Sequence, residues 1–279
     1  MTIAPAQSIG SVHVHSTSAV TRIAVFVATC WELRALRSAL PLDETAILGG
    51  VRCGTAERNG RLYYVVQTGV GPARASKVAR SILDEGAWAL VLSTGFACAL
   101  APAGVGDLII GTEVFSVFHD GQWIRREGLL SCSQEQHLRF LSVGREAGIP
   151  LKSGRIVSTP RIIWQADEKR AIHDLTDAVA LDMESAALAA VAHEKGIPMA
   201  IVRTVSDLVT EDLPLDFNLF LRPTGWLKGL WALIGHPSSF AGVNRLRRQS
   251  QVAADRLTDF FKGYIEKSNG VQTAAGDIR

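Results

Sequence analysis

Short apolar runs that end in small or polar residues, each followed by a helical pattern, constrain the fold of this chain more than any other feature. Ile23-Ala24-Val25-Phe26-Val27-Ala28-Thr29 is the first of them. It lacks polar/apolar alternation, which suits a strand buried on both faces. Glu32 to Leu40 follows, with Leu33, Leu36 and Leu40 on one helical face. Leu62 to Thr68 reads as a second strand and Gly69-Val70-Gly71-Pro72 as a turn. Pro72 opens a helix that runs to about Leu83. Trp88 to Thr94 is another buried strand, ending in Gly95, and strand character resumes over Asp107 to Val117. Helices are expected over Gln134 to Gly148 and Glu184 to Lys195, and strands over Arg155 to Ser158, Ala178 to Leu181 and Pro198 to Val205. This alternation predicts an α/β fold, a three-layer αβα sandwich around a central mixed, largely parallel sheet.

A length of 279 residues suits one such domain with decorations. Apolar residues make up 47% and charged residues 20%, which excludes a mainly disordered chain. No apolar run approaches the roughly 20 residues that span a bilayer. The net charge of +2 is low for a nucleic-acid binder, so no nucleic-acid partner is expected. Cys30, Cys53, Cys98 and Cys132 show no C-x-x-C spacing. They read as four reduced thiols in a cytoplasmic protein, with no metal site. Residues 1–20 lack a basic start and an apolar stretch, and read as a flexible tail rather than a signal peptide. His13 and His15 are solvated there. Residues 21–221 carry the strand–helix pattern.

Residues 222–279 form a basic, apolar helical extension. Arg222 to Arg256 holds six Lys/Arg against one Asp/Glu, a local +5 that leaves −3 for the rest. Val243, Leu246, Ser250, Ala253, Leu257, Phe260 and Tyr264 recur at steps of three and four, one face of an amphipathic helix. Trp226, Leu227, Leu230, Trp231, Leu233 and Ile234 form an apolar cluster near Arg222, Lys228 and His236. A lid or a dimer contact is the simpler reading. The other is peripheral membrane contact through 222–256, since apolar groups beside basic ones suit an anionic bilayer surface.

Ligands of parallel sheets sit at the carboxyl ends of strands. Four such ends carry polar residues: Cys30-Trp31-Glu32, Ser93-Thr94-Gly95-Phe96-Ala97, Leu181-Asp182-Met183-Glu184-Ser185 and Arg203-Thr204-Val205-Ser206-Asp207. Glu32, Glu184 and Asp207 could thus meet in one cleft and share the work of base, hydroxyl binder and acid. Each also has a structural reading, as a helix N-terminal acid or a turn cap.

Ala180-Leu181-Asp182-Met183-Glu184-Ser185 followed by Arg203-Thr204-Val205-Ser206-Asp207 resembles the purine nucleoside phosphorylase/nucleosidase superfamily. Within it the chain is most similar to methylthioadenosine/S-adenosylhomocysteine nucleosidases. Gln67-Thr68-Gly69-Val70-Gly71, and Ser93-Thr94-Gly95 through Gly104-Val105-Gly106-Asp107-Leu108, add to the likeness, which covers about Arg22 to Leu221. The resemblance implies that Met183 packs on the nucleoside and that Glu184 accepts hydrogen bonds from the ribose hydroxyls. It implies that Asp207 protonates N7 of the leaving purine, oriented by Ser206, and that Glu32 activates water. Thr94 and Gly95 would belong to the sugar's C1 face, Arg203 to the same wall as Glu32, Ile162 and Ile163 to the base pocket, and Phe217 would stack on the base or close over it. The resemblance also implies a homodimer or larger assembly. No cofactor is implied.

Hydrolysis is favoured over phosphorolysis. A phosphorylase needs cationic and backbone donors for its anion, whereas Glu32 suits water and repels phosphate. The expected reaction is cleavage of the N-glycosidic bond of an adenosine derivative. The alternatives are a lipid-linked nucleoside such as adenosylhopane, a phosphorylase, and a non-catalytic nucleoside-binding homologue. Phe96 makes the Gly95-to-Ala99 stretch bulkier than the family's usual turn and narrows the sugar end. Ser158-Thr159-Pro160-Arg161 also departs from the nucleosidase pattern.

Overall fold

A computed structural model describes residues 20–125, 128–213 and 238–267. In chain order the strands are β1 (Thr21–Val27), β2 (Glu44–Leu48), β3 (Val51–Arg58), β4 (Arg61–Gln67), β5 (Leu90–Ala99), β6 (Leu108–Asp120), β7 (Gln122–Arg125), β8 (Leu130–Ser131), β9 (Leu151–Ser158), β10 (Ala180–Asp182) and β11 (Met199–Leu208). The helices are α1 (Cys30–Ala39), α2 (Pro72–Leu83), α3 (Gln134–Glu146), α4 (Ala166–Thr176), α5 (Ser185–Glu194) and α6 (Ser238–Glu266). The strands form one mixed sheet in the order β10-β9-β6-β11-β5-β1-β4-β3-β2, with β7 and β8 attached to β6.

Parallel pairing joins β4, β1, β5 and β11, and separately β6, β9 and β10. The two parallel groups meet in antiparallel register, β6 against β11 and β10 against β5. β5, β11, β6, β9 and β10 therefore close into a ring. Closure is possible because β5 is long: its continuation through Phe96 to Ala99 pairs Cys98 and Ala99 with Leu181 and Ala180. The sequence places the end of this strand at Gly95. Gly95 instead has φ +142°, a conformation that L side chains rarely adopt, and the strand passes through it.

Alternation along β1 explains the layers. Ile23, Val25 and Val27 point into one core and Ala24 and Phe26 into the other, all of them buried. The first core is filled by Leu36 of α1, Phe140 of α3 and Leu257, Phe260 and Tyr264 of α6. The second takes Ala75, Ala79 and Ile82 from α2 and Leu188 and Ala192 from α5. Small residues at both helix faces let α2 and α5 lie close together.

From Ala253 through Leu257 and Phe260 to Tyr264 the expected amphipathic stripe forms the buried side of α6. Phe140, Phe260 and Tyr264 pack edge-on or stacked, with centroids 5.3–6.3 Å apart. The Tyr264 hydroxyl donates to Gln136 Oε1 at 3.1 Å, which satisfies it inside the core. The helix at the C-terminal end of the described chain thus completes the first core. The Trp226–Ile234 cluster and Phe217 lie outside the described residues. Among the described residues no helix is long and apolar enough to cross a membrane.

Candidate active site

A cleft of about 160 Å³ opens where β1, β5, β10 and β11 end. Its lining includes Glu32, Phe96, Cys98, Ile162, Ile163, Met183, Glu184, Ser206 and Asp207. A larger groove, about 430 Å³, runs between α2, α5 and β6, but its lining is Pro72, Ser116–Phe118, Ser158–Pro160 and three alanines of α5. It holds no titratable side chain, so acid–base chemistry belongs to the smaller cleft.

Glu32 arrives by a local device. Thr29 caps α1 and accepts from the Glu32 backbone N–H, while the Glu32 carboxylate reaches back to the Thr29 N–H at 2.7 Å. Oε2 also accepts from the Ala28 N–H and the Thr29 hydroxyl, and Oε1 from the Phe96 N–H at 2.8 Å. The cap reading and the cleft reading of Glu32 are both met. Gly95 makes this possible: a Cβ there would lie 2.1 Å from Glu32 Oε1 and 2.8 Å from Arg203 Nη1.

Glu184 comes from the other parallel group. β10 runs antiparallel to β5, so its carboxyl end turns back toward the cleft rather than leaving with the others. Glu184 is the residue just before α5, and its Oε1 accepts from the Gly71 N–H at 2.7 Å. The Gly69-Val70-Gly71 turn, with φ +78° and +103° at its glycines, places that donor. Burial, with the Asp182 carboxylate nearby, pushes the Glu184 carboxyl up to about 8. In the folded state Glu184 keeps its proton far above the ordinary value of 4.5, where the unfolded chain has lost it. Stability therefore falls as pH rises from about 4.5 to about 8. The loss is on the order of 3–5 kcal/mol. Glu184→Gln is expected to abolish this fall, so its melting temperature exceeds that of the parent at pH 8 and matches it near pH 5.

Ser206 and Asp207 owe their placement to a bulge. The register between β11 and β5 shifts between Val205, opposite Ala97, and Asp207, opposite Cys98. The extra residue lets two neighbours on one strand reach the same cleft. Ser206 Oγ donates to Asp207 Oδ1 at 3.0 Å. Asp207 Oδ2 is held by the ammonium of Lys169, 2.8 Å away on α4. Burial works against that ammonium, but the Asp207 carboxylate opposes it, and Lys169 sits above its usual value. Burial pushes the Cys98 thiol well up, so it stays neutral, as expected of a small core residue rather than a nucleophile.

Three of the expected site residues are not among those lining the cleft. Thr94, Gly95 and Arg203 lie beneath it, all buried. Arg203 pairs with Asp182 at 2.7 Å, and its Nη2 donates to Ser93 Oγ and Ser185 Oγ, each at 2.8 Å. A guanidinium inside a sheet needs such a carboxylate, and Arg203 ties β11 to the start of α5. Ile162, Ile163 and Met183 do line the cleft as expected. Lys169 and Leu213 were not legible in the sequence as site residues. Lys169 lies in a polar helical stretch, with its acidic partner 38 positions away. No group of three or more His, Cys, Asp or Glu among the described residues is arranged to hold a metal ion.

Residues 22–222 match the family model described as the phosphorylase superfamily, and the chain belongs to that superfamily. Its fold is that of solved nucleosidases. It superposes on 5′-methylthioadenosine/S-adenosylhomocysteine nucleosidase from Helicobacter pylori with a TM-score of 0.70 and 18% identity, over 89% of this chain and 99% of that one. Futalosine hydrolase of the same organism gives 0.67 and 20%, over 89% and 98%. The Campylobacter jejuni methylthioadenosine/S-adenosylhomocysteine nucleosidase gives 0.61 and 22%, over 76% and 97%.

Proposed function

We propose that this protein is a purine nucleosidase. It cleaves the N-glycosidic bond of an adenosine derivative of the methylthioadenosine/S-adenosylhomocysteine type by attack of water at C1′. The observation that carries this reading is the charge of the cleft. Among the described residues its lining holds the carboxylates Glu32, Asp182, Glu184 and Asp207 and no basic side chain. Arg203, the nearest guanidinium in sequence to the Ser206–Asp207 pair, is consumed by Asp182 below the floor. Arg203 balances Asp182, Lys169 balances Asp207 and Glu184 keeps its proton below about pH 8, so Glu32 is the carboxylate that a phosphate nucleophile would enter against, whereas water is not repelled by it.

The roles follow from chemistry and position. The C1′–N9 bond breaks through a sugar that gains positive charge while the base gains negative charge. Asp207 gives its proton to N7 as the base leaves, and Ser206 orients the carboxyl group. Glu32 takes a proton from water on the opposite face. Its carboxylate is held rigid by four donors, so it does not swing to meet the substrate. Glu184 receives the ribose hydroxyls once it has given up the proton it keeps below about pH 8, and Glu184→Gln raises KM most above that pH, where a carboxylate accepts at two atoms and a neutral amide at one. Met183, Ile162 and Ile163 give the nucleoside an apolar bed.

Adenine release from methylthioadenosine by purified protein, with and without phosphate, tests the reading. Release without phosphate, with free methylthioribose as the second product, is expected. Release that requires phosphate would make the protein a phosphorylase and remove the role of Glu32. No release from methylthioadenosine or S-adenosylhomocysteine would overturn the assignment of substrate.

A further inference from the structure

Lys169 is the buried cation of this site, and the proposed reaction leaves it without a task. It is fully buried on the first turn of α4. Its three protons have three acceptors: Asp207 Oδ2 at 2.8 Å, Leu208 O at 3.1 Å and Glu211 O at 2.9 Å. An ammonium has three donors, so none is left for a substrate. Lys169 acts on the reaction only through Asp207. Of the two Asp207 oxygens it holds Oδ2, and Oδ1, which accepts from Ser206, is the one the ammonium does not occupy.

The loop after β11 is held by more than the two bonds that Lys169 gives to the Leu208 and Glu211 carbonyls. The Ala166 N–H at the start of α4 donates to Asp212 Oδ1 at 2.7 Å, and the Leu213 N–H donates to Trp164 O at 2.8 Å. Gln249 of α6 donates to Glu211 Oε2 at 2.9 Å. The loop is thus held at three further places, at the start of α4, at Trp164 just before it and on α6. What Lys169 adds is a fixed rotamer and a fixed positive charge at the back of Asp207.

We infer that Lys169 is the positioning residue for recognition and protonation of purine N7: by clamping Asp207 Oδ2 it presents Oδ1 to the base and stabilises the carboxylate that remains once the proton has gone. The inference rests on the purine nucleosidase reading. The proton count is simple. Asp207 gives one proton to N7, the C1′–N9 electrons stay with the base, and Lys169 keeps all three of its protons throughout. A charge-assisted hydrogen bond to the other oxygen of the acid favours the carboxylate that the transfer leaves behind.

Two non-cleavable or slowly cleaved ligands read this directly. 5′-Methylthio-9-deazaadenosine carries a hydrogen on N7 that can donate to Asp207, and 5′-methylthio-7-deazaadenosine has carbon at that position. The parent protein is expected to bind the first at least about tenfold more tightly, the worth of one charged hydrogen bond. Lys169→Met is expected to reduce that preference to about twofold while the Kd for the 7-deaza compound stays within about threefold. A merely structural lysine would weaken both ligands alike, and that result, or an unchanged preference, would overturn the inference. Lys169→Met leaves Asp207 uncompensated in the interior, so a second comparison uses proteins without that charge. Adding Lys169→Met to Asp207→Asn is expected to change the Kd of the 9-deaza ligand by less than about twofold, the signature of a residue acting through Asp207. A further tenfold loss there would also overturn it. If the parent protein binds neither ligand, the purine reading itself falls, which the preference measurement keeps separate from a failure at Lys169.

Discussion

Asp207→Asn is expected to lower kcat for methylthioadenosine by about 10³-fold, within the range that a positioned general acid supplies. Asparagine preserves the shape of the side chain and can accept from either Ser206 or Lys169 through its one oxygen, but it has no acidic proton to give to N7. The loss should therefore depend on the leaving group. A ribofuranoside of p-nitrophenol, whose leaving group departs without a proton, is expected to lose less than about tenfold. Equal losses for both substrates would show that the variant has damaged the cleft rather than removed an acid. The variant also leaves the Lys169 ammonium buried without its counter-ion. A stability cost of about 3–5 kcal/mol is expected for breaking such a pair, so kinetics belong well below the variant's melting temperature.

Glu32→Gln is expected to lower kcat by about 10²–10³-fold, the worth of a general base acting on water. The same substitution carries a structural penalty of a different kind, unmet hydrogen-bond donors rather than a lost counter-ion. Four donors converge on the Glu32 carboxylate, three on Oε2 and one on Oε1. An amide has one accepting oxygen, so its NH2 must face either the Phe96 N–H or the Ala28–Thr29 donors. A loss of about 1–3 kcal/mol in stability is expected for the group left unpaired. Glu32→Ala separates the two effects. It removes the negative charge that faces the nucleophile, and azide, which needs no base, can then attack C1′ as the base leaves with the Asp207 proton. Partial rescue by azide, with a glycosyl azide as product, is the expected result. Absence of rescue in a protein that still binds ligand would mean that Glu32 does more for the architecture than for water.

The parts of the fold that were legible in the sequence are those whose pattern is local. β1 and β11 are apolar runs buried on both faces, and the α6 stripe repeats at helical spacing through Leu257, Phe260 and Tyr264. α4 went unread because its buried face is Ala166, Lys169, Ile172 and Thr176, a lysine and a threonine where apolar residues would mark a helix. The β2–β3 hairpin went unread because its strands are partly exposed and polar, with Gly49-Gly50 as its turn. Ring closure depends on β10 pairing with the second half of β5, 81 positions earlier at Ala99. No local pattern encodes that.

The same distinction holds for the site. Glu32, Met183, Glu184, Ser206 and Asp207 stand at strand ends, and all five line one cleft. Arg203 also stands near a strand end, but side chains alternate along a strand. Its side chain points beneath the cleft to Asp182 while the bulge turns Ser206 and Asp207 into it. Thr94 and Gly95 lie on β5 below the floor, and Gly95 serves as the gap that admits the Glu32 carboxylate.

The central claim is that water, not phosphate, is the nucleophile in a cleft walled by carboxylates. It is tested most directly by letting the protein cleave methylthioadenosine in 18O-labelled water containing excess phosphate. One labelled oxygen on the anomeric carbon of free methylthioribose is the expected product. An unlabelled sugar 1-phosphate would contradict the account.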